Sequence, residues 1–149
     1  MQIINTQSIE QVKKAIKQAK SKPIIVQAQN DEFNRKILEY GKFDILLSPE
    51  SGNRKNTITQ IDSGLNHILA KIAAKNNIAI GIDLDNLVLL SKQEKAETLS
   101  RLIQNIKICR KAKAKLVVLS KDKDKREISS FLLSLGASTQ QAKEATQTF

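Results

Sequence analysis

Five short runs of aliphatic residues alternate with longer stretches whose apolar residues recur every three or four positions, and nothing else in the chain constrains its fold as strongly. The runs are Ile3-Ile4, Pro23 to Val26, Asp44 to Ser48, Ile78 to Ile82 and Leu116 to Leu119. The last four are nearly continuous in apolar character, which suits parallel strands covered on both faces, with helices as right-handed crossovers between them. The periodicity predicts a first helix capped by Ser8, with Ile9, Val12, Ile16 and Ala19 inward, and a second from Asp31 to Tyr40, capped by Asn30 and closed by Gly41. A third is expected to follow Asp62 and to bury Leu65, Ile68, Leu69 and Ile72. The fourth is long, opened by a Ser91/Glu94 capping box and carrying Leu99, Leu102, Ile103 and Ile106 toward a lysine-rich end. A helix pair closes the chain: Asp124 and Glu127 open one helix, Gly136 ends it, and a short helix takes Gln140 to Ala145.

Five βα units in 149 residues form a single α/β domain, residues 1–149. An open sheet and a piece of an α/β barrel both fit, and length alone favours the open sheet, because a complete barrel takes about 250 residues. With 40% apolar residues the chain is not disordered, and its longest apolar runs are far too short to span a membrane. A lone Cys109 excludes an internal disulfide, and the absence of a secretory pattern leads to a cytoplasmic expectation. One His and one Cys are too few for a zinc site. Cys109 lies in or beside a helical apolar stripe and reads as a core residue.

Chemistry could reside in several places. Asp83 and Asp85 at the end of the fourth strand would share a face by alternation and could hold Mg²⁺, or could simply begin a polar loop. His67 lies between Leu65 and Ile68 and could be catalytic or a hydrogen-bonding residue; no nucleophile with a supporting acid accompanies it. Phosphate-binding glycine loops are absent. The segment Glu50 to Ile61 has no period and follows a strand at the end where α/β proteins place ligands, so function is sought there first.

The formal charge is +10. Arg54-Lys55 and Lys121, Lys123, Lys125 and Arg126 follow strands and emerge at one edge of a parallel sheet, whereas Lys111 to Lys115 precede a strand and lie at the other. Such a rim would bind phosphates, and the near absence of exposed aromatic platforms favours folded RNA over splayed bases.

The run Phe43 to Pro49, then Asn53-Arg54-Lys55, then Asp62 to Lys71, resembles the archaeal ribonuclease P protein component 3 family, whose pattern includes a G-[IL]-[ND]-H-x-L-A-K helix and an A-[IL]-G strand, here Ala79-Ile80-Gly81. Gly136 to Lys143 is similar to the family's closing segment, although Leu132 stands where the family has a glycine, which predicts uninterrupted helix there. The resemblance covers about residues 20–146, in a shortened form lacking about two N-terminal βα units, and implies a truncated TIM-barrel-like fold with C-terminal helices. It further implies an RNA-binding subunit of ribonuclease P, supporting RNA-catalysed removal of the 5′ leader from precursor tRNA, with no catalytic residue of its own and no bound cofactor. The Mg²⁺ would be required by the RNA. Implied partners are ribonuclease P RNA, ribonuclease P protein component 2, the other protein subunits and, indirectly, precursor tRNA. Expected phosphate contacts are Arg54, Lys55, Lys71, Lys75, Lys121, Lys123, Lys125 and Arg126. Asn53, Asp62, Asn66 and His67 are motif positions without an assigned role. The competing reading is a small metal-dependent phosphoesterase using Asp83, Asp85 and His67. A sheet with strands missing also exposes two edges, to be covered by the C-terminal helices, by a second copy in a homo-dimer, or by a partner subunit.

Overall fold

The computed structural model describes residues 2–147. Five parallel strands, β1 (Gln2–Ile4), β2 (Ile24–Gln27), β3 (Ile45–Leu47), β4 (Ala79–Asp83) and β5 (Leu116–Leu119), pair in sequential order. The register aligns Ile25 with Ile45, Leu46 with Ile80, and Gly81 with Val117. The helices are α1 (Ile9–Gln18), α2 (Asp31–Tyr40), α3 (His67–Lys75), α4 (Leu84–Val88), α5 (Lys92–Ala112), α6 (Lys125–Ser134) and α7 (Thr139–Ala145). Among the described residues, no helix is long and apolar enough to cross a membrane.

Sequential order with right-handed crossovers puts every connecting helix on the same side. The packing agrees. The larger core joins helix residues such as Val12, Ile37, Ala73, Ile106 and Leu132 to Val26, Leu46, Ile80 and Leu116, one set of alternate strand positions. The other set, Ile25, Ile45, Leu47, Ala79 and Val117, forms a separate cluster to which no helix contributes. Helices therefore cover one face only, which corrects the expectation of cover on both. The second face is crowded between neighbouring strands, where a Cβ at Gly81 would lie 2.7 Å from Ile45 Cγ2 on β3, and its two end strands line a common cleft through Ile3 and Leu119. This is the interior of an incomplete α/β barrel rather than a flat open sheet.

The seam between β1 and β5 is open. Ile3, 46% exposed, and half-buried Leu119 line one cleft of about 630 Å³ together with Leu47, Val88 and Leu89. Neither α6 nor α7 lines it, because both pack on the outer face through residues such as Leu132 and Ala142, so the C-terminal helices do not close this opening.

Local signals account for most boundaries. Ser8 and Asn30 accept from Gln11 N and Phe33 N as N-caps, and α6 runs unbroken through fully buried Leu132. Four details differ, the first being the short helix α4, which the periodicity does not anticipate. The third helix begins at His67 rather than just after Asp62, because Asn66 caps it by accepting from Leu69 N. Its buried face is then Leu69, Ala70 and Ala73, leaving Ile68 57% exposed and Leu65 buried from the preceding loop. Ser91 caps α5 by accepting from Glu94 N, whereas the reciprocal two-bond capping box forms at Ser138 and Gln141.

Candidate functional site

The segment after β3 is an ordered loop, turned by Ser48 in the left-handed region (φ 56) and carrying a small hairpin with Asn56 opposite Ile61. At its centre the Arg54 side chain is only 7% exposed. Its guanidinium donates to Pro49 O (2.7 Å), Asp31 Oδ1 (2.9 Å), Asp62 Oδ1 (2.9 Å) and Gln29 O (3.3 Å). Arg54 thus joins the connections that leave β2 and β3, and its donors are directed inward. The expected phosphate contact is instead a structural cation, while adjacent Lys55 is exposed.

The loop is fastened from α5. Arg101 donates to Asn56 Oδ1 (3.0 Å), Glu50 O (3.4 Å) and Arg54 O (2.7 Å), Gln104 to Ile61 O and Ser63 Oγ (both 3.0 Å), and Asn105 to Ser63 O (3.0 Å). These three were missed by the sequence reading, although polar residues at i, i+3 and i+4 within an apolar stripe are a signal that such a face has polar loop backbone to satisfy. Glu50 was missed as well. It is buried beside a cavity of about 290 Å³ that Asp83, Glu94, Glu97 and Arg101 also line, and among the described residues its Oε2 has no hydrogen-bond partner. Burial pushes its carboxyl up to about 7, against the lowering influence of Arg54 and Arg101.

Asp83 and Asp85 do not form a pair. The strand ends at Asp83, which caps α4 by accepting from Asn86 N (3.1 Å), so strand alternation does not reach Asp85. Asp85 accepts from Lys121 N (2.9 Å) and Ser120 Oγ (2.8 Å), and these bonds hold its carboxyl below the ordinary carboxylate range. His67 is exposed at the start of α3, in a cleft of about 570 Å³ shared with Lys55, Asp62 and Asn66, to which neither Asp83 nor Asp85 contributes. The three residues of the phosphoesterase reading are therefore not brought together. Among the described residues, no three His, Cys, Asp or Glu side chains are grouped to hold a metal ion. Asn53 lines a neighbouring cleft of about 730 Å³ with Gln27 and Gln29.

The remaining expected contacts are all exposed, but they do not form one rim. Lys55 and Lys121 to Arg126 emerge where β3 and β5 end, with Asp83 and Asp85 of the β4 end between them. Asp122, Asp124 and Glu127 interleave with the second group, and Lys123 Nζ lies 3.6 Å from Glu127 Oε2. Lys71 is mid-helix on α3, and Lys75 ends that helix at the opposite end of the sheet. Cys109 is fully buried, as expected.

No family model matches the chain. It is similar to Ribonuclease P protein component 3 of Methanococcus maripaludis, with 29% identity over 119 residues covering 78% of this chain and 48% of that protein. The like-named protein of Methanocaldococcus jannaschii is 28% identical over 129 residues (85% and 53%), and that of Methanosarcina mazei 36% over 97 residues (65% and 37%). The chain thus spans about half the length of the curated relatives it matches. Among solved structures, a chain in the cryo-EM structure of archaeal Ribonuclease P with mature tRNA superposes with a TM-score of 0.78 at 26% identity, covering 96% of this chain and 62% of that one. The chain is thus similar in sequence to the Ribonuclease P protein component 3 proteins and in fold to a chain of an archaeal Ribonuclease P.

Proposed function

We propose that the chain acts as an RNA-binding protein subunit of ribonuclease P, supporting removal of the 5′ leader from precursor tRNA by the RNA. The observation that carries this reading is the fold likeness, across nearly the whole chain, to a chain of an archaeal Ribonuclease P. A formal charge of +10 supports it, since cationic side chains relieve phosphate repulsion where RNA helices converge and so reduce the Mg²⁺ the RNA needs to fold. In this reading the protein holds no cofactor and supplies no catalytic group. Its partners are ribonuclease P RNA, ribonuclease P protein component 2 and the other subunits, with precursor tRNA contacted indirectly. Lys55, Lys71, Lys75, Lys121, Lys123, Lys125 and Arg126 remain candidate phosphate contacts; Arg54 does not. The test is precursor-tRNA cleavage at limiting Mg²⁺ by ribonuclease P RNA with the other protein subunits, with and without this chain. Stimulation that fades with added salt is expected. No effect at any Mg²⁺ concentration would refute the subunit role.

A further inference from the structure

Charge in this molecule is sorted along the barrel axis. All strands are parallel, so each connection leaves a strand at the exit end and its long helix returns the chain to the strand-entry end. First turns carry the acids Glu10, Asp31, Glu32, Glu94 and Glu127, and last turns carry the bases Lys17, Lys75, Arg110 and Lys111. Helices α1 and α5 carry both an acid at the start and a base at the end, α2 and α6 only the acids and α3 only the base; each such charge complements its helix dipole, and because the helices are aligned these biases add.

The entry connections sharpen the asymmetry. Lys20 and Lys22 lead into β2, Lys42 into β3, Lys75 closes α3 ahead of β4, and Lys113 and Lys115 lead into β5. All six are exposed, and none takes part in a salt bridge among the described residues. The carboxylates at this end are Asp44, which is half-buried and accepts from Ile24 N at 2.7 Å, and Glu39 in the last turn of α2, which is paired with Arg35 at 3.0 Å. The exit end is different, since its lysines alternate with acids and Asp83, Asp85 and Glu50 stand between them.

We propose that the strand-entry end, through Lys20, Lys22, Lys42, Lys75, Lys113 and Lys115, is a binding surface for the phosphate backbone of RNA, a surface distinct from the exit-end lysines. This deepens the RNA-binding reading and rests on it. Strands about 4.8 Å apart place the entries to β2 through β5 on an arc of roughly 15 Å. A nucleic-acid duplex presents about one charge per 1.7 Å of its axis, so several phosphates fall within the arc. Lysine suits the task because a compact ammonium on a flexible stem needs no fixed approach angle, and such a surface reads shape and charge rather than sequence.

The test compares two four-fold variants of equal charge change. One replaces Lys20, Lys22, Lys75 and Lys115 with Gln; the other replaces Lys55, Lys121, Lys125 and Arg126 with Gln. Each is titrated with a generic RNA duplex across a range of salt concentrations, with thermal unfolding as the check on folding. The entry-end variant should lose at least tenfold in affinity, and its plot of log K against log salt should flatten by roughly 3, at 0.7 to 0.9 per lost phosphate contact. The exit-end variant should keep most of its affinity. The reverse ranking, equal losses, or no duplex binding by the parent chain would each overturn the proposal. Precursor-tRNA cleavage, measured separately, decides the subunit role, so duplex binding without stimulation would remove that role and leave this surface standing.

Discussion

Arg54 and Lys55 are neighbours of like charge, and replacing each with Ala separates a structural cation from a surface one. Loss of the Arg54 guanidinium leaves the Pro49 carbonyl without its donor in a part-buried setting, whereas Gln29 O keeps the Asn34 Nδ2 donor at 3.1 Å. The Pro49 loss costs on the order of 1–3 kcal/mol. The Asp31 and Asp62 side chains are 68% and 47% exposed, so they return to water and add at most about 1 kcal/mol each. Arg54→Ala should therefore destabilise the fold by about 3 kcal/mol, read as a shift in urea midpoint at unchanged m-value. In thermal unfolding the same loss lowers Tm by roughly 6–12 °C. Lys55→Ala should leave both readouts within about 0.5 kcal/mol of the parent. Below the transition, RNA affinity of the Arg54 variant should equal the parent's. An Arg54→Ala protein of parental stability with weakened, less salt-dependent RNA binding would refute the reasoning, since the guanidinium would then be reaching phosphate.

Glu50 predicts a pH effect of definite sign. Its carboxyl titrates at about 7 when folded against an ordinary 4.5, because burial outweighs the pull of Arg54 and Arg101 and Asp83 adds to the rise. The folded state then binds more protons between those pH values. Stability should fall as pH rises from about 4.5 to 7, by about 3 kcal/mol in total, and Glu50→Gln should abolish that slope in urea titrations. A parental slope in the variant would place the titration elsewhere. Gly64→Ala should abolish folding or cost more than Arg54→Ala, because the residue has φ +77 and its Cβ would sit 1.8 Å from Pro49 O. Gly52→Ala, at φ +92 with no atom within 4 Å, should cost only about 1–2 kcal/mol, both variants being read by urea midpoint against the parent. The Cys109 thiol is fully buried and pushed up to about 12 by desolvation, so a thiol reagent should label the native chain only as fast as it opens, with full labelling in urea. Rapid native labelling would contradict the packing of α5.

The sequence by itself determined what repeats or closes locally. Strand-sized aliphatic runs, three-and-four spacing and capping residues such as Ser8, Asn30 and Asp124 act over a few residues, so they placed all five strands and most helices. The family motifs were equally legible, since they are contiguous stretches. The tertiary structure decided what depends on meetings between distant parts of the chain. Arg54 turns inward because Asp31, Asp62 and two carbonyls converge on it. Leu65 is buried from a loop and Ile68 is exposed because Asn66, not Asp62, starts the helix. Glu50 is desolvated by α5 packing from far along the chain. The one-sided barrel and the lysine-bearing entry end follow from strand order, which periodicity does not encode, because a period fixes which face of an element is apolar but not which element covers that face.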